Sequence, residues 1–232
     1  MPTHPASETT EHVPAAALLA ITGGILDAVT YIAYGHVFAN AMSGNLVFLG
    51  LEAAAGNWSQ ALHHIIPLCF FLIGVVAALR LRDSKLPHAR LIALLVEIVT
   101  LGILGALPAS FPNLILLATV SFVSAFQVTT FRHVGPFNYN STFVTGNLRE
   151  VAGGLYEAFR SPDPAIRYHS RSRARHLALI CACFLLGAIL GALAAVHHPT
   201  HSLWAAEPPL LTVLAILLIR PKQNQAPGTP RA

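Results

Sequence analysis

The chain has 232 residues, 54% hydrophobic and only 10% charged, with a formal net charge of +4 and a mean hydropathy of +0.61. So few charges cannot solvate a globule of this size, which excludes an ordinary soluble domain and favours a surface that faces lipid. The positive charge flanks apolar runs and no nucleic-acid-binding motif accompanies it, so the bilayer is the expected partner and nucleic acid is not.

All fourteen Lys and Arg residues fall in three segments, residues 80–90, 132–175 and 220–231. An even number of membrane crossings must separate each segment from the next, and the positive-inside bias puts all three in the cytoplasm. Residues 1–13 are polar and lack the basic start of a secretory signal, so they read as a disordered cytoplasmic tail before a retained first span. Crossings are then expected at 14–34, 65–81, 89–107, 114–131, 177–196 and 203–219, each near the ~17 to 25 residues a tilted helix needs. The last is interrupted early by Glu207, Pro208 and Pro209, so its helix is expected to begin after the prolines. Residues 220–232 form a second disordered tail, and both termini are cytoplasmic.

Between the first two crossings, residues 35–42 lack a helical pattern, whereas 45–55 read as a helix with Ser43 or Asn45 as its N-cap and Gly56 as its stop. Eleven residues rise only ~16 Å, about half a bilayer core. A re-entrant half-helix or a surface helix is expected there, because a full crossing would move residues 80–90 outside. The histidines at 36, 63, 64, 197, 198 and 201 fall in outside loops and read as solvated. Pro199 argues against a helical metal pair of His197 and His201, and no metal site or cofactor is expected.

The sequence repeats itself. Gly23 to Ala28, followed by Asn40-Ala41-Met42-Ser43-Gly44-Asn45-Leu46, is echoed by Phe122 to Gln127, followed by Asn140 to Thr142 and Thr145-Gly146-Asn147-Leu148. Gly74 in the second span recurs as Gly187 in the fifth. Three spans per copy is an odd number, so the second copy enters from the opposite side. The expected fold is all-α, with six transmembrane helices in two inverted three-helix repeats, 14–107 and 114–219, each with a half-helix after its first span. At these motifs the sequence resembles the YoaK family, bacterial inner-membrane proteins whose domain has no known function. The family's usual first motif is Thr-Gly-Asn; Ser43-Gly44-Asn45 keeps the hydroxyl. The resemblance implies a bacterial inner-membrane location and supplies no reaction or substrate.

Asp27 falls in the middle of the first span, Glu97 in the middle of the third, and Gln127 at the corresponding place in the fourth. A carboxylate at mid-bilayer costs roughly 2.5 kcal/mol or more, so it normally faces the bundle interior and has a partner or a task. Asp27 and Glu97 are candidates for proton coupling, with a structural tie from Asp27 to Gln127 as the alternative. A substrate site is expected from Asp27, Ser43, Gly44, Asn45, Gln127, Thr145, Gly146 and Asn147, with half-helix N-termini favouring a small polar or anionic solute. The plainer reading of both Ser/Thr-Gly-Asn motifs is a turn with a helix cap. No nucleophile, phosphate-loop or zinc-hydrolase motif is present, so an enzyme is not expected. Three classes follow: a small-solute secondary transporter or channel, a non-transporting scaffold or regulator, and an intramembrane enzyme using Asp27 with Glu97. A chain this short makes a thin bundle, for which a homodimer is the expected assembly.

Overall fold

The computed structural model describes residues 12–219 except Lys85, Pro87, Gly135 and Phe143. The two expected tails, apart from His12 and Val13, lie outside the described residues. In chain order the helices are α1 (Val13–Ala33), α2 (Met42–Ala54), α3 (Trp58–Asp83), α4 (Ala89–Gly105), α5 (Asn113–Thr130), α6 (Val144–Arg160), α7 (Pro164–His197) and α8 (Glu207–Ile219). A two-residue hairpin, β1 (His133–Val134) with β2 (Phe137–Asn138), follows α5, and a 3-10 helix (Pro199–Ala206) leads into α8. Five segments are long and apolar enough to cross a membrane: α1, α3, α5, α7 and the continuous stretch Pro199–Ile219. The segment expected to cross at 89–107 holds α4, whose 17 residues rise ~25 Å and which is not among these five.

Two helix starts differ from expectation for physical reasons. α8 begins at Glu207 and holds Pro208 and Pro209 in its first turn, where no N–H is needed, and the 3-10 helix before it supplies the missing length. α2 begins at Met42 with Ala41 as N-cap and no side-chain cap bond, because the Asn45 amide is engaged elsewhere. Its expected stop at Gly56 adopts φ +77°, a conformation glycine reaches without strain. α7 starts thirteen residues before the expected crossing at 177, capped by Asp163, whose Oδ1 accepts from the Ala165 amide at 2.8 Å. Its 34 residues rise ~51 Å, so its arginine-bearing first third extends beyond a bilayer core.

The helices pair closely through small residues. α1 packs along α7, where a Cβ on Gly24 would strike the Phe184 carbonyl and one on Gly187 the Ile21 carbonyl. α3 packs along α5, where a Cβ on Gly74 would strike the Phe122 carbonyl. Without a hydrophobic drive between helices in lipid, such close backbone approach is a main source of association. α2 folds back on α3 and α6 on α7. Met42 clusters with Phe71 and Ala125, midway along α3 and α5, and Val144 and Leu148 line a groove with Cys181, Phe184, Leu185 and Ala188 of α7. Each short helix therefore starts beside the middle of its neighbour and runs back to that neighbour's beginning. The main core, with Leu19, Leu26, Leu94, Leu101, Leu117, Leu203 and Leu210, lies where α1, α4, α5 and α8 converge.

Replacing Gly187 with Leu should force α1 and α7 apart, at a cost of about 1–3 kcal/mol or more, and lower the thermal midpoint of detergent-purified protein. Gly153→Ala, with nothing within 4 Å of the new Cβ, should leave that midpoint unchanged or slightly raised.

Candidate functional site

Two loops, 34–41 and the described residues of 131–142, the second holding the β1–β2 hairpin, bury many of their side chains ahead of α2 and α6. Irregular backbone inside a membrane protein must find partners within the protein or a water-filled cavity. Each loop is closed by the asparagine of its Gly-Asn motif. Asn45 accepts from the Phe38 amide at 2.9 Å and donates to the Phe38 carbonyl at 2.8 Å. Asn147 accepts from the Asn140 amide at 3.2 Å and donates to the Asn140 carbonyl at 2.7 Å. In both cases the side-chain amide pairs with the backbone N–H and C=O of one residue seven positions earlier. Asn45 and Asn147 are buried, whereas Ser43 and Thr145 are exposed beside them. Gly44 packs against the Phe38 ring, and Gly146 has open space around it.

The loops are also tied to the long helices. Asp27 Oδ1 accepts from the Asn40 amide at 2.7 Å and from the Ala41 amide at 3.4 Å. Asn40 in turn donates through Nδ2 to the Gly23 carbonyl at 3.4 Å. Gln127 donates through Nε2 to Ser141 Oγ at 2.9 Å and to the Leu19 carbonyl at 3.0 Å, linking α5 and its loop to α1. Gly23 is where the loops meet: a Cβ there would lie 3.0 Å from the Ser141 carbonyl and 2.9 Å from Thr142 Cγ2. The structure thus gathers Asp27, Gln127, Asn40 and Ser141 around the middle of α1. No hydrogen bond joins Asp27 to Gln127 directly among the described residues; Gln127 reaches α1 at Leu19, two turns away.

Glu97 lies elsewhere, fully buried on α4 with neither carboxylate oxygen hydrogen-bonded, and the acidic group whose charge reaches it is Glu207, in the first turn of α8. The charges one turn past the second motif are compensated at the α6–α7 contact. Arg149 meets Glu150 at 3.0 Å and Arg173 reaches Glu150 at 3.5 Å and Glu157 at 3.4 Å. His64, expected in a solvated loop, is buried within α3 and stacked on Phe48, because α3 begins at Trp58. Asn40, Ser141 and Gly23 were not singled out by sequence reasoning; the only signal was that each lies in or near the repeated motifs.

A family described as "Protein of unknown function (DUF1275)" matches residues 15–217, nearly all of this architecture. The chain belongs to the DUF1275 family. It is also similar to the UPF0700 transmembrane protein YoaK of Bacillus subtilis (strain 168), with 29% identity over 212 residues, 87% of this chain and 90% of that protein. No solved structure matches. Together with the five long apolar segments, this makes the chain a multi-pass membrane protein.

Because the Asn45 amide satisfies both polar groups of Phe38, Asn45→Leu should leave two backbone groups unpaired. At about 1–3 kcal/mol for each buried unsatisfied group, the thermal midpoint of the purified protein should fall clearly. Asn147→Leu should do the same, while Ser43→Ala should leave it unchanged.

Proposed function

We propose that this DUF1275 member is a small-solute secondary transporter or channel of the bacterial inner membrane. Six spans form two inverted units, 14–107 and 114–219, and both termini face the cytoplasm. The observation that carries this reading is the meeting of two loops beside the middle of α1, each followed by a helix that starts at that depth. Discontinuous segments of this kind, with N-terminal dipoles turned towards a midplane site, bind polar or anionic solutes in carriers built from inverted repeats.

The packing supports the internal symmetry. α1 lies on α7 as α5 lies on α3, and α2 folds on α3 as α6 folds on α7. Gly187 meets Ile21 as Gly74 meets Phe122, and both Asn clamps reach back seven residues. Ser43 and Thr145, exposed on the first turns of α2 and α6, are placed to touch a solute, while Asn45 and Asn147 hold the loops that shape its path. Asp27 and Glu97 are the candidate coupling groups. The basic segments at 80–90 and 132–175 set the orientation, and a homodimer would widen a thin bundle.

Reconstitution tests this reading. Small anions, amino acids and neutral solutes are screened for flux in proteoliposomes with wild-type, Asp27→Asn and Ser43→Ala protein. Flux of at least one solute that falls tenfold or more in Asp27→Asn is expected. Absence of flux for every solute, from protein that remains folded, would overturn transport and favour a partner-binding membrane protein.

A further inference from the structure

One face of α7 runs without a break from arginine to apolar groove. Arg171, Arg175, Ala178, Ala182 and Leu185 follow one another at four- and three-residue spacing, so they form one stripe along a continuous helix, and all five are exposed. The inner part of the stripe lines a groove of about 520 Å³ between the start of α6 and the middle of α7, walled by Val144 and Leu148 on one side and by Cys181, Ala182, Leu185 and Ala188 on the other. That volume falls within the ~300–1,000 Å³ of small-molecule sites, yet no wall of the groove carries a charge. The apolar run of α7 begins at Leu177. At a rise of ~1.5 Å per residue, Ala182 to Ala188 lie ~8 to ~17 Å inside that edge, whereas Arg175 and Arg171 lie ~3 and ~9 Å outside it, where headgroups sit.

The two arginines are placed to take an anion. Arg173, between them in sequence, is taken up by Glu150 at 3.5 Å and Glu157 at 3.4 Å, whereas no ion pair among the described residues includes Arg171 or Arg175. A guanidinium stays charged and meets a phosphate through two parallel N–H···O bonds. A zwitterionic headgroup would bring its own cation against this pair, so a lipid of net negative charge is favoured. Hydrocarbon at the depth of the groove and phosphate at the depth of the arginines are the two parts of one molecule. We propose that the groove between α6 and α7 holds an acyl chain of an anionic phospholipid whose phosphate is bound by Arg171 and Arg175. The bound lipid braces the start of α6 against α7 in the leaflet where α7 begins. This site does not depend on whether the chain moves a solute.

Photolabelling of the purified full chain in detergent tests the site, with a phosphatidylglycerol that carries a photoreactive group on one acyl chain. Labelled residues are mapped by mass spectrometry, and unlabelled phosphatidylglycerol or phosphatidylcholine is titrated as competitor. Label is expected to concentrate in residues 144–148 and 181–188. At roughly fivefold for each arginine beside an anionic headgroup, phosphatidylglycerol should displace it at a concentration about tenfold or more below that of phosphatidylcholine. The double variant Arg171→Gln with Arg175→Gln, at exposed positions that the fold does not need, should bring the two competitors within about twofold, and Arg82→Gln should keep the preference. Ala182→Phe, which fills the groove, should lower the labelling itself. Label spread evenly over the exposed apolar faces of α3 and α7, or a preference that survives the double variant, would overturn the proposal. Labelling that disappears as the chain is concentrated into a dimer would give the groove to a second copy and overturn it as well.

Discussion

An irregular loop can lie within a membrane protein only if its peptide groups are bonded, and here a pair of asparagine side chains does much of that work. Asn45 and Asn147 each present one donor and one acceptor to the backbone N–H and C=O of a single residue, as a neighbouring β-strand would. That pairing holds two loops in the bundle, and the loops set where α2 and α6 start. A serine or threonine hydroxyl would have to donate and accept through one atom, and an ionised aspartate has no donor, so neither presents the separate donor and acceptor atoms of an amide. The same residues that look like solute ligands in sequence are thus engaged with backbone, while the atoms left unpaired belong to their neighbours.

Around this constraint the small residues of α1 become intelligible. Gly24 admits α7, and Gly23 admits the Ser141 carbonyl and the Thr142 methyl of the second loop while its own carbonyl takes the Asn40 side-chain amide of the first. One helix therefore carries contacts from both halves of the chain on different faces. Asp27 and Gln127 hold their own loops in a similar manner, the first by accepting backbone amides and the second by donating to Ser141. The two are not interchangeable: a carboxylate brings charge into the cluster, and an amide does not.

Much of the fold was readable from span length, because bilayer thickness fixes helix length. The helices expected at 14–34 and 114–131 match α1 and α5 closely, and the one expected at 65–81 lies within the longer α3. The limits of α7 and α8 were less legible. A polar, arginine-rich extension is invisible to a search for apolar runs, and prolines that break a helix interior are harmless in a first turn. The burial of His64 followed from an early start to α3 that its polar first turns concealed. In the candidate site, Asp27 and Gln127 stood out because polar residues are rare in apolar spans. Asn40 and Ser141 did not, since their roles depend on a loop returning to its own helix about fourteen residues later, a distance no local pattern encodes.

The account depends on the depth of the first turns of α2 and α6, which spin labels at Ser43 and Thr145 in lipid vesicles would read directly through collisions with oxygen and a water-soluble relaxer. Labels on these exposed positions should leave the packed interior undisturbed. Both are predicted to sit well below the headgroups, far deeper than labels at Ala55 and Ser161 at the outer ends of the two short helices. Depths at the membrane surface for both motifs, equal to those of the helix ends, would contradict the account.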